Sequence, residues 1–115
     1  MGATTFYNSI NVKEKTRENA KKAFLELREE ALYDHGHGGY SGTIAEKHCY
    51  SMSKKPKDIP VITWVEILYD FDEEDISQQH YYELKSDFEI YDDKWGPALC
   101  IETNKGFVFC GWASC

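Results

Sequence analysis

The chain has 115 residues, 13 of them basic and 20 acidic, for a formal net charge of −7; it is 42% hydrophobic and 15% aromatic. That is one domain's worth of sequence, 1–115, with enough apolar material for a packed core, so disorder throughout is excluded. The acidic balance argues against direct binding to a nucleic-acid backbone, which needs a surplus of Lys and Arg. No apolar run approaches the roughly 18 residues of a membrane span.

The opening MGATTF lacks the basic-then-apolar layout of a signal peptide, and Phe6 stands where N-myristoylation requires Ser or Thr, so a cytoplasmic chain is expected. TTFYNSI predicts a short strand. Asn11 and Glu14 have the spacing of a capping box, and Ala20, Phe24, Leu27 and Ala31 recur at helical spacing behind them. That helix is expected to end with His35 in its last turn and Gly36 as a left-handed cap. After the glycine-rich HGHGGYSGT, TIAEKHCYSM predicts a strand and SKKPKD a polar connector. IPVITWVEILY, β-branched, aromatic and apolar on both faces, predicts a central strand. Asp72 is placed to cap a second helix through ISQQHYYELKSDF, with Ile76, Leu84 and Phe88 facing inward.

ALCIE and FVFCGW flank a short turn and predict a hairpin. A three-residue loop with Gly106 in the left-handed position sets Cys100 opposite Cys110. One face then carries Ala98, Cys100, Val108, Cys110 and Trp112, and the other Leu99, Ile101, Phe107 and Phe109. A hairpin apolar on both faces is buried or meets a partner, and a homodimer through it is one expectation. The order predicts an α+β, ferredoxin-like β-α-β-β-α-β sandwich with an extra C-terminal hairpin strand. In that topology HGHGGYSGT lies beside YDFDEED, with the hairpin turn near.

The glycine-rich stretch is the leading candidate site. Gly38 and Gly39 offer unshielded amides, Ser41 and Thr43 hydroxyls, His35 and His37 charge, and Tyr40 or Trp95 a stacking surface. It matches no phosphate-loop or dinucleotide signature and it follows a helix, so a phosphate would meet the wrong end of the dipole. The competing account is a helix cap followed by a turn. His35, His37, His48 and Cys49, with Asp70 and Asp72, have the chemistry of metal ligands, but the spacing defines no site and no CxxC is present. No metal, cofactor or catalytic set is therefore expected. The acidic run from Asp70 to Asp75 is explained by the favourable placement of negative charge at a helix N-terminus.

GHGGYSGTIAEK (36–47), DKWGPA (93–98) and GWAS (111–114), in that order, resemble motifs of a group of small bacteriophage-encoded proteins. The resemblance implies an accessory protein working in the host bacterial cytoplasm against host defences. The expected function is sequestration, without catalysis, of a phosphate-bearing nucleotide or nucleotide signal. One alternative is a small phosphodiesterase or hydrolase using His35 or His37 with Asp70 or Asp72. The other is an inhibitor that binds a host defence protein through its acidic face or apolar hairpin.

Overall fold

The computed structural model describes residues 2–35 and 39–115. In chain order it has β1 (Ala3–Asn11), α1 (Arg17–His35), a single 3-10 turn (Ile44–Glu46), β2 (Tyr50–Met52), α2 (Val61–Tyr69), α3 (Tyr81–Tyr91), β3 (Ala98–Glu102) and β4 (Gly106–Ser114). The strands form one sheet in the order β1-β4-β3-β2. β4 is antiparallel to both its neighbours and β2 is parallel to β3, so β1, β2 and β3 all point the same way.

Helices cover both faces. Ala20, Ala23, Phe24 and Leu27 of α1 pack on Phe6, Ala98, Cys100, Phe107 and Phe109. Trp64 and Leu68 of α2, with Leu84 and Tyr91 of α3, pack on Leu99, Ile101, Val108 and Cys110. The chain is a mixed α+β domain, but with three layers, and the ferredoxin-like sandwich expected from the sequence is replaced by this arrangement. The cause is a single element: IPVITWVEILY supplies a helix, where a central strand was expected. Its residues favour strands, yet Val61, Trp64, Val65 and Leu68 also fall at i, i+3, i+4 and i+7, and packing overrides propensity. The fully buried Asp87 of α3 fixes the arrangement. It accepts 2.8 Å from the Trp64 indole and 2.9 Å from the Lys54 amide, and also from the Ser53 hydroxyl.

Other boundaries shift for local reasons. Asn11 belongs to β1, and Thr16 caps α1 instead, its hydroxyl accepting from the Asn19 amide at 3.1 Å. Of TIAEKHCYSM only the three residues of β2 are strand, and Ile44–Glu46 form the 3-10 turn. Asp72 organises a turn, accepting from the Glu74 amide at 3.0 Å, and Ile76 is exposed because α3 begins only at Tyr81. The hairpin pairs Leu99 with Cys110 and Cys100 with Phe109. That is one residue away from the expected register, which moves every β4 side chain to the opposite face. Ala98 and Cys100 therefore share a core with Phe107 and Phe109. The hairpin's two apolar faces are accounted for, because β3 and β4 are the interior strands between two helical layers.

Candidate functional site

The three motifs in the glycine-rich and hairpin regions meet at one end of the sheet. Gly42, at φ +71, donates its N–H to the Ser114 carbonyl at 2.7 Å. It extends the hydrogen bonding of β4 beyond the reach of β3. A Cβ there would sit 2.5 Å from Thr4 Cγ2 and 3.2 Å from Cys115 Cβ, so only glycine fits. Thr43 caps the 3-10 turn, accepting from the Ala45 amide at 3.2 Å. Lys47 is fully buried and donates to the carbonyls of Asp93 and Gly96 at 2.9 and 3.2 Å. Its own carbonyl accepts from Arg28 Nε at 2.7 Å.

One of the hydroxyls expected to hold a phosphate, that of Ser41, already holds a carboxylate. Glu46 accepts from the Ser41 amide at 3.1 Å and the Ser41 hydroxyl at 2.7 Å, and Ser41 Oγ lies 2.8 Å from Thr43 Oγ1. Burial pushes the Glu46 pKa up, but the bonds from the Ser41 hydroxyl and the Ser41 and Tyr40 amides, with His48 nearby, outweigh it and hold it below the ordinary value. Tyr40 and Trp95 do come together, edge to face with ring centroids 6.3 Å apart, and both are exposed. Tyr40 takes φ +57, a strained conformation for a bulky side chain. Gly39, at φ +78, borders Glu46. Gly36, His37, Gly38 and the side chain of His35 lie outside the described residues.

The expected neighbours of this loop are elsewhere. Gly42 lies at the start of β1, whereas the hairpin turn lies at its far end, beside Asn11. The run that follows α2 sits on the other face of the sheet, where Tyr69 stacks on Trp112 at 5.8 Å. Asp70 is the C-cap of α2. Among the described residues no three His, Cys, Asp or Glu side chains gather as a metal site would require. No helix among them is long and apolar enough to cross a membrane.

A cavity of about 760 Å³ opens at the far end, where β1 and β3 present their carboxyl ends. Lys15, Lys55, Lys57 and Lys105 line it, against the carboxylates of Asp58 and Glu102. Each lysine comes from a connection leaving the same end of the sheet: β1 to α1, β2 to α2, and β3 to β4. Lys15 is steadied by the Thr103 carbonyl at 3.0 Å, and Lys55 by the Pro56 and Ile59 carbonyls at 2.9 and 2.6 Å. Both ammonium groups retain hydrogens for a ligand. Among the described residues the one ion pair is Lys22 with Glu18, so none of these four is in direct contact with a carboxylate, and four ammonium groups face two carboxylates across the cavity. Asp87 holds Ser53 and Lys54, which anchors the connector that carries Lys55 and Lys57.

In an acidic chain, this is a local surplus of positive charge in a concave site. Ligand crevices in open α/β sheets form outside the carboxyl ends of the parallel strands. The lysines were visible in the sequence, as SKKPKD and as Lys15 and Lys105, but nothing in their spacing brings the three segments together. Comparison with protein-family models, with curated proteins and with solved structures gives no match to this chain.

Proposed function

We propose that this protein binds a phosphate-bearing small molecule of the nucleotide class, and that it does so in the lysine-lined cavity. The observation that carries the reading is that four lysines, none of them ion-paired, converge there from three separate connections and outnumber the two carboxylates that line the cavity with them. Lys57 and Lys105 contact the ligand's phosphates, while Lys15 and Lys55, held by carbonyls, fix the rim. The role is to hold and withdraw the ligand, in keeping with the phage counter-defence context that the motifs suggest.

A second reading keeps the ligand at the glycine-rich loop, with a base against Tyr40 and Trp95. The exposure of both rings favours it. Isothermal titration with ATP and with inorganic pyrophosphate separates the two. Lys57→Ala/Lys105→Ala is expected to weaken binding by roughly tenfold per lost charge-assisted contact, with Tyr40→Ala unaffected. Loss of binding in Tyr40→Ala alone would move the site to the loop. Equal affinity in all variants would overturn both readings. Monitoring ATP by chromatography in the same samples distinguishes retention from hydrolysis.

A further inference from the structure

β1 is an edge strand, and its own sequence carries none of the usual protections. Protein edges are ordinarily blunted by charge, proline, a bulge or shortness. The opposite edge follows that rule: β2 has three residues and runs into Ser53-Lys54-Lys55-Pro56-Lys57. β1 has nine residues, ATTFYNSIN, without a charge or a proline, in a chain that carries 33 charged side chains (13 basic and 20 acidic).

The backbone groups free for pairing follow from the ladder with β4. Gly2 and Cys115 exchange both hydrogen bonds, and the Val12 amide donates to Lys105. In an antiparallel ladder these pairs alternate, so the even residues bond β4, and Ala3, Thr5, Tyr7, Ser9 and Asn11 direct their N–H and C=O outward. Tyr7 lies at the centre of that row. Beside it runs an apolar groove of about 240 Å³ between β1 and α2, whose only charged lining residue is Glu66. Around it Tyr7, Ile62 and Tyr69 are 45%, 60% and 57% exposed.

We infer that β1 pairs with β1 of a second copy, antiparallel about a twofold axis through Tyr7, making one continuous eight-stranded sheet. The outward row is self-complementary about its centre. Tyr7 meets the partner's Tyr7, Thr5 meets the partner's Ser9, and Ala3 meets the partner's Asn11. Every outward N–H and C=O from residue 3 to residue 11 gains a partner. An aromatic pair and a hydroxyl pair face each other across the seam, both of which favour strand pairing. Two copies of net charge −7 repel, and this strand carries no charge of its own to oppose its copy. The partner's Tyr7 ring borders the groove beside Ile62 and extends its apolar wall.

The register makes the inference testable by charge. Thr5 and Ser9 are exposed and lie across from each other only in this pairing. Sedimentation equilibrium of the full chain should give about twice 13.3 kDa, the mass of one chain. Thr5→Lys/Ser9→Lys sets lysine against lysine twice and should raise the dissociation constant at least tenfold. Thr5→Lys/Ser9→Glu sets lysine against glutamate twice and should restore the dimer. Thermal melts establish that each variant is folded. A wild-type chain that stays monomeric at high micromolar concentration overturns the inference. So does a dimer that persists in Thr5→Lys/Ser9→Lys, or a folded Thr5→Lys/Ser9→Glu that fails to recover it.

Discussion

Lys47 ties two distant segments together, and its removal should be felt at both. Lys47→Met keeps most of the stem's volume against Phe6 and deletes the ammonium. Two carbonyls then lose their donor: Asp93 at 2.9 Å, on an exposed residue that water can reach, and Gly96 at 3.2 Å, which is more enclosed. Leaving a buried acceptor unsatisfied costs about 1–3 kcal/mol, more where the lost donor was charged. With water rescuing Asp93 in part, the loss should be about 2–4 kcal/mol. For a domain of this size that lowers the melting temperature by roughly 10–25 °C.

The assay is a calorimetric melt, with hydrogen exchange followed at the Trp95 and Gly96 amides. Loosening should appear first there, because Lys47 is what holds that turn to the 3-10 segment. A fall of less than about 3 °C with unchanged exchange at Gly96 would refute the clamp. Burial lowers the Lys47 pKa from 10.5, with Asp93 and Cys49 opposing. The folded state therefore releases this proton first, and between the lowered value and 10.5 the group adds stability as pH rises. A neutral amine still has two hydrogens for the two carbonyls, so deprotonation does not mimic Lys47→Met.

Alkaline pH should nevertheless destabilise the protein, because burial, helped by Glu102, pushes the Cys100 thiol from 9.0 up to about 12. The folded thiol stays protonated after the unfolded one has ionised, so its contribution, complete below 9.0, is lost as pH rises toward about 12. Cys110 and Tyr91 shift in the same direction, also by burial first. Cys100→Ala should flatten the fall of unfolding free energy by about 1.4 kcal/mol per pH unit in that window, read from urea titrations; an unchanged slope would mean that Cys100 ionises in place. Gly106→Ala should cost more than about 3 kcal/mol, because its Cβ would overlap the Ile10 carbonyl oxygen and lie 2.7 Å from the Val12 nitrogen. Gly111→Ala, at 3.3 Å from the Tyr91 carbonyl, should cost less, and the opposite ranking in denaturant melts would contradict the β1–β4 register.

Elements with one dominant pattern were legible in the sequence. The stripe Ala20, Phe24 and Leu27 fixed α1, and two short apolar runs on either side of a turn fixed β3 and β4 as strands. IPVITWVEILY was not, because it carries a strand propensity and a helical stripe at once, and only packing against both Leu99 and Val108 decides between them. The hairpin register failed by one residue because loop length was read from Gly106 as a turn residue. Gly106 is glycine for another reason: β1 passes so close that no side chain fits. At the glycine-rich loop, composition singled out Tyr40 and Trp95, whose rings do meet, but it could not show that Glu46, five residues beyond Ser41, would accept from the Ser41 amide and hydroxyl.

The two ends of the sheet have different capacities because of how the chain enters and leaves them. At the end where β1, β2 and β3 begin, connections return from the helices, and they fill the space with their own groups. Gly42 satisfies Ser114, Glu46 satisfies Ser41, and Lys47 satisfies Asp93 and Gly96. Anionic chemistry there is already answered by an internal carboxylate. At the opposite end the connections depart toward α1 on one face and α2 on the other, so they diverge and leave a crevice. Lysines borne on diverging segments have backbone carbonyls to steady them but no carboxylate in direct contact, and they outnumber the carboxylates of Asp58 and Glu102. A net positive charge held in a concave site favours an external anion, and the proposed ligand site rests on this difference between the two ends of the sheet.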